Sequence, residues 1–257
     1  MRVLLSPIGS RGDLQPLLVL GEELRRRGHE VSFATCPNFL GTLRAEGFDA
    51  LPIGSDSNAM ILEHAALAEQ SPVTALPRQL RLLGDETARQ CRDLLQAHLP
   101  RFDLIVATEV LEHYEDDVAA LRLWRSRLAA RGALLLSVPA FPERFGPWDV
   151  KAGHFRRYER EGLAAAFRAA DFEPVAIRTY GFPLGNLLEA ARDAVARRQP
   201  AEESMSERTA ASGRLLQPSG ATGVLTAAAG AVGGQLQRPF TGGRHGVGFV
   251  ALARATD

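Results

Sequence analysis

The chain has 257 residues, 46% of them hydrophobic, with 30 basic and 30 acidic side chains and a net charge of zero. That length allows one large α/β domain or two small ones, and the apolar share allows a sizeable core. The neutral balance gives no electrostatic case for a nucleic-acid or anionic-membrane partner. Lys151 is the only lysine, so the basic residues are otherwise all arginine. Cys36 and Cys91 are too few and too far apart in sequence to suggest a zinc site, and they fit reduced thiols. The first apolar run is too short for a signal peptide, and no run approaches the ~18–20 apolar residues needed to span a membrane. The expectation is a soluble cytoplasmic protein. The sequence does not set its oligomeric state.

Residues 2–6 read as a short buried strand, followed by the turn P-I-G-S-R-G-D. Leu14, Leu17, Leu18, Leu20 and Leu24 then recur at helical spacing over residues 14–27. Gly28 ends that helix, and Arg25, Arg26 and Arg27 stand in its last turn, where cations suit the helix dipole. Residues 30–34 form a second strand, 38–46 a short helix closed by Gly47, and 48–53 a third strand. This β-α-β-α-β alternation implies a parallel sheet. Residues 57–99 are helical in pattern, interrupted near Pro72 and Pro77. Residues 103–107 form a fourth strand, 116–130 a helix with Val118, Leu121, Trp124 and Leu128 inward, and 133–138 a fifth strand. After a loop holding Trp148 and His154 come a helix at 160–170, a strand at 174–180 and an amphipathic helix at 184–198. Residues 199–234, rich in Ala, Gly, Ser and Gln, read as a flexible insertion before a last strand at 247–253. The fold class is therefore α/β: one doubly wound, Rossmann-like, mostly parallel seven-stranded sheet with helices on both faces.

The stretch F-D-L-I-V-A-T-E-V-L-E-H at 102–113 is the most informative in the chain. An apolar strand stops there at Glu109, Glu112 and His113. In an open α/β sheet, ligands sit where strands end, so polar groups at that place are positioned for chemistry. The first strand ends in a second such place. Gly9 and Gly12 allow close backbone approach, and the helix that follows offers free N–H groups to an anion. The turn is G-S-R-G-D rather than G-x-G-x-x-G, and the second strand ends at Ala34-Thr35 with no acid to hold a ribose.

Two resemblances meet in this chain. Residues 1 to about 100, through G-S-R-G-D-L-Q-P and then F-L-G-T-L-R-A-E-G-F-D-A-L-P-I-G, resemble the N-terminal, acceptor-side half of two-Rossmann-domain glycosyltransferases. That resemblance implies that Asp13 acts as the base toward an acceptor hydroxyl; the alternative is that Asp13 caps the helix beginning at Leu14. The donor domain of that family has no room in this length. Residues from about 103 onward resemble a class I S-adenosylmethionine-dependent methyltransferase. The likeness rests on E-V-L-E-H, on R-G-A-L-L-L-S-V-P, on G-H-F-R-R-Y and on the closing strand. It implies S-adenosylmethionine as cofactor, held by Gly9, Gly12, Thr108 and Glu109, and a small-molecule acceptor. His154 is the candidate general base or acceptor-orienting group, the alternative being a histidine satisfied by loop backbone. Trp148 and Tyr158 are candidate walls of the acceptor pocket.

E-V-L-E-H also resembles the Glu-x-x-Glu-His of ubiquinone-pathway O-methyltransferases, which implies a divalent metal such as Mg on Glu109, Glu112 and His113. On a helical turn these three fall at i, i+3 and i+4, on one face. The alternative is a metal-free site in which Glu109 hydrogen-bonds locally. The sequence departs from the methyltransferase pattern in its first half: the D-x-G-x-G-x-G turn and the acid closing the second strand are absent. Both families build their sheet in the order 3-2-1-4-5, so a junction at the fourth strand joins equivalent elements. The expected organisation is one domain spanning 1–257. Its function is methyl transfer, impaired or lost. One alternative is a glycosyltransferase-like acceptor-binding domain, and the other is an inactive fusion.

Overall fold

A computed structural model describes residues 1–7, 11–56, 89–90, 93–94, 100–152, 154–198, 235 and 237–256. Gly9, Cys91 and the expected insertion at 199–234 lie outside these residues. So does the expected helical stretch 57–99, apart from Arg89, Gln90, Asp93 and Leu94, which are helical.

Seven strands form one sheet: β1 (Arg2–Leu5), β2 (Glu30–Thr35), β3 (Asp49–Pro52), β4 (Phe102–Thr108), β5 (Leu128–Pro139), β6 (Phe172–Tyr180) and β7 (Gly248–Ala255). Their order is β3-β2-β1-β4-β5-β7-β6. Pairing is parallel from β3 through β5, and β7 runs antiparallel to both β5 and β6. The helices are α1 (Arg11–Arg26), α2 (Leu40–Ala45), α3 (Asp117–Arg127), α4 (Pro147–Ala152), α5 (Arg160–Ala169) and α6 (Leu184–Arg198). The sheet is Rossmann-like and mostly parallel, as the alternation of strand and helix patterns implies.

Strand alternation sorts the apolar side chains onto two faces. Val3, Leu5, Val31, Phe33 and Val106 pack with Leu14, Leu17 and Leu18 of α1. Leu4, Ala34, Ile105 and Ala107 turn the other way, into a larger core with Leu121 and Trp124 of α3 and Leu163 and Phe167 of α5. Gly21 lets α1 lie close on the sheet: a Cβ there would stand 3.1 Å from the Phe33 ring and 3.2 Å from Leu5. No helix among the described residues is long and apolar enough to cross a membrane.

Several boundaries differ from the sequence expectation, and those of α1, α3 and β5 differ most. Helix α1 begins at Arg11, not Leu14, so Asp13 sits inside its first turn and is not its N-cap. Helix α3 stops at Arg127, and β5 begins at Leu128 instead of residue 133. Leu128 pairs with Phe102, Arg131 takes φ 59°, and the β4–β5 register slips between Phe102 and Leu104. Tertiary pairing has overridden local helical pattern there. Tyr158 is a core residue, 4% exposed, with its hydroxyl 3.1 Å from Asp117 Oδ2, so it does not wall a pocket.

Candidate active site

The carboxyl ends of β1 and β4 lie side by side at the point where strand order reverses. Leu5 pairs with Val106, and the Ser6 N–H donates to the Val106 carbonyl at 2.9 Å. Beyond Thr108, which is half-buried and paired with Ser137, the chain turns sharply. Glu109 has φ 52°. A left-handed conformation on a residue other than glycine costs of order 1 kcal/mol and persists only where neighbours fix it. The Glu109 N–H donates to the Ser137 carbonyl at 3.0 Å. Its Oε1 accepts from Ser137 Oγ at 2.7 Å and from the Tyr180 hydroxyl at 2.9 Å. Strands β4, β5 and β6 thus all hold one carboxylate. Burial, and then the charge of Glu109, push the Tyr180 phenol up, so it stays protonated and donates.

Leu111–His113 follows as a single 3-10 turn. Glu109 lies outside it with left-handed backbone, so Glu109, Glu112 and His113 do not share one helical face. The structure does not bring the expected metal set together on one face, and Glu109 Oε1 is taken by Ser137 and Tyr180. Among the described residues, the groups with ligand atoms within 4.8 Å of one another are Glu112, His113 and His154. Glu112 is 0% exposed, and neither carboxyl oxygen has a hydrogen-bond partner. Burial raises its pKa well above the usual carboxylate range, with the charges of Glu109, Asp13 and Asp149 adding to the effect. Asp13, half-buried in the first turn of α1, therefore stands within electrostatic reach of Glu112. Gly12 occupies the same first turn as Asp13.

His154 comes from the segment after α4, which is tied to the β4 turn by a 2.9 Å bond from the Phe155 N–H to the Glu112 carbonyl. Its Nδ1 is 2.8 Å from Asp149 Oδ1, and its Nε2 is 3.9 Å from Glu112 Oε1. The His113 and His154 rings meet edge to face with centroids 4.9 Å apart. Trp148, on α4 beside Asp149, is half-buried. Asp149 is fully buried, which would raise its pKa. Hydrogen bonds from His154, Arg157 and the Gly146 N–H more than offset that burial and hold the carboxyl below the usual range. Arg157 donates to Asp149 Oδ2 at 2.7 Å and to Glu189 Oε1 at 2.6 Å, and Arg144 also pairs with Glu189. A buried charge network thus runs from His154 to α6.

A carboxylate such as Asp149 only accepts, so His154 donates from Nδ1 and turns Nε2 toward Glu112. This is the geometry of a base held by a third group. Sequence reasoning named His154 as a candidate and did not single out Asp149, Arg157, Glu189, Ser137 or Tyr180, with which the structure links His154 and Glu109. The spacing D-x-x-x-x-H across a helix end was the available signal for Asp149. Ser137, the polar residue at the end of an otherwise apolar strand, was the signal for the Glu109 clamp.

Known proteins resemble the chain in two ways. An uncharacterized glycosyltransferase of Mycobacterium tuberculosis is 30% identical over 152 residues, covering 54% of this chain and 36% of that protein. Glycosyltransferase GtfE of Amycolatopsis orientalis is 38% identical over 111 residues, covering 43% of this chain and 25% of that protein. The chain therefore spans about a third or less of the length of these curated relatives. Among solved structures, the [4+2]-cyclase SpnF has the same fold, with a TM-score of 0.50 and 15% identity over 99% of this chain and 74% of that one. The methyltransferase-domain match extends from residue 26 to 177, across the strand-four junction. Together with the 54% match it exceeds the whole chain, so the two resemblances overlap. More than half of the sequence fits the family model described as a methyltransferase domain, and the chain belongs to that family.

Proposed function

We propose that the chain transfers a methyl group from S-adenosylmethionine to an oxygen or nitrogen of a small-molecule acceptor. Family membership supports the reaction class, and the His154–Asp149 pair is the observation that carries the reading. His154 Nε2 takes the proton of the acceptor O–H or N–H. Asp149, kept ionised by Arg157, holds the imidazole in orientation and stabilises the imidazolium that forms. The cofactor, when bound, supplies a methyl group on a positively charged sulfonium. The donor set suits such a cation: among the described residues no arginine pairs with Glu109 or Glu112, and Glu112 is buried with both oxygens unpartnered. Glu109 would hold the cofactor beside Thr108, with Gly12 and Gly9 on the β1 side. At the ribose end, β2 closes with Thr35-Cys36-Pro37 and offers no carboxylate. The loss of one charge-assisted hydrogen-bond pair lowers affinity by about tenfold or more.

The test is transfer of a labelled methyl group to a panel of phenols and amines. A basic role for His154 predicts that His154→Ala loses roughly 10²–10⁴-fold in rate while its circular dichroism is unchanged. Equal rates in the two proteins would overturn that role.

A second reading has its own support in the glycosyltransferase relatives. In it the crevice binds an aglycone near Asp13 without a sugar nucleotide. It predicts weaker aglycone binding by Asp13→Asn; unchanged binding would remove the residue from the site.

A further inference from the structure

The clamp on Glu109 is more elaborate than a structural turn requires. The residue is strained, its Oε1 takes two hydroxyl hydrogen bonds from two other strands, and among the described residues no hydrogen bond to its Oε2 is seen. Beside it stands Glu112, fully buried with both carboxyl oxygens unpartnered and with Glu109 the strongest charge acting on it. Among the described residues, Arg157 and Arg144 serve Asp149 and Glu189. The basic groups near Glu112 among the described residues are His154, at 3.9 Å, and His113. Among the described residues, no arginine or lysine pairs with the Glu109 carboxylate, while its geometry is fixed by Ser137 and Tyr180.

We propose that Glu109 Oε2 receives a positively charged ligand group, a sulfonium or an ammonium, and that Ser137 and Tyr180 are positioning residues that aim it. This rests on the methyl-transfer reading above and deepens it by naming the atom that meets the ligand's charge. Ser137 and Tyr180 saturate one oxygen, so the carboxylate cannot rotate and the other oxygen faces a fixed direction. Gly248 makes room for this arrangement, since a Cβ there would stand 2.5 Å from the Tyr180 ring.

The test is calorimetric binding of three nucleosides to the full chain and to Glu109→Gln, Tyr180→Phe and Ser137→Ala. S-adenosylmethionine carries a sulfonium and an ammonium, S-adenosylhomocysteine only the ammonium, and methylthioadenosine neither. Glu109→Gln is expected to weaken S-adenosylmethionine by about tenfold. If S-adenosylhomocysteine is spared, the sulfonium is the group received. If it weakens equally while methylthioadenosine does not, the ammonium is. Tyr180→Phe and Ser137→Ala should follow the same ligand order with smaller losses. Equal weakening of all three ligands, or of none, overturns the proposal.

Should the wild-type chain bind none of them, the methyl-transfer reading falls. Trimethylsulfonium titrated against the Tyr180 ring signals in NMR then decides the clamp alone. Saturable shifts that vanish in Glu109→Gln support it. Absent shifts, or shifts that persist in the variant, overturn it.

Discussion

Glu112 and Asp149 show how burial alone does not decide a carboxyl's state. Both are fully buried. Asp149 has three donors, which hold its carboxyl below the usual range; Glu112 has none, and burial pushes its carboxyl well above it. Their effects on stability run in opposite directions with pH. The folded pKa of Asp149 is depressed, so its contribution is present above the unfolded value and is lost as pH falls through the folded one. The folded pKa of Glu112 is raised, so its contribution is full below the unfolded value of about 4.5 and is lost as pH rises. Glu112→Gln should therefore raise the thermal midpoint at pH 8 and leave it nearly unchanged at pH 4, as scanning fluorimetry would show. Asp149→Ala leaves Arg157 buried with Glu189 as its remaining partner, and breaking such a pair costs about 3–5 kcal/mol. Urea unfolding checks this. His154 was a sequence candidate through the loop that holds it and the G-H-F-R-R-Y resemblance. Arg157 and Glu189 were not, because a buried ion network looks like surface charge until the fold brings 32 residues of sequence separation together.

At the scale of elements, most of the sheet was legible from pattern. Short apolar runs bounded by glycine and charge gave the strands, and leucine spacing gave α1. Boundaries failed where a long-range contact decided them. The start of β5 at Leu128 depends on pairing with Phe102, which no local propensity encodes. The turn after β4 failed in the same way: a helical reading put three ligand-type residues on one face, and the strained backbone at Glu109 separates them. Glycine 248 offers a test of how tightly the strand ends are packed. Gly248→Ala forces its Cβ against the Tyr180 ring and should cost about 1–3 kcal/mol, read as a lower urea midpoint. Combining it with Tyr180→Ala should recover most of that loss, since the clash is with that ring; full additivity of the two changes would show that Tyr180 is not what Gly248 accommodates.

At the scale of the whole molecule, the seam proposed from sequence falls inside a continuous sheet. Strands β1 and β4, one from each resemblance, pair in register over Val3–Leu5 and Leu104–Val106. We propose that the chain unfolds as one domain. Far-ultraviolet and near-ultraviolet melting curves should coincide; two separated transitions would divide the halves. The chain belongs to the methyltransferase-domain family, and the D-x-G-x-G-x-G turn and the acid closing the second strand of that pattern are absent from its sequence. The most direct measurement is calorimetric titration of the full chain with S-adenosylhomocysteine. The account predicts saturable heat at one site per chain, with a dissociation constant of about 10⁻⁵–10⁻³ M, corresponding to about 4–7 kcal/mol. No detectable heat at millimolar ligand would contradict it.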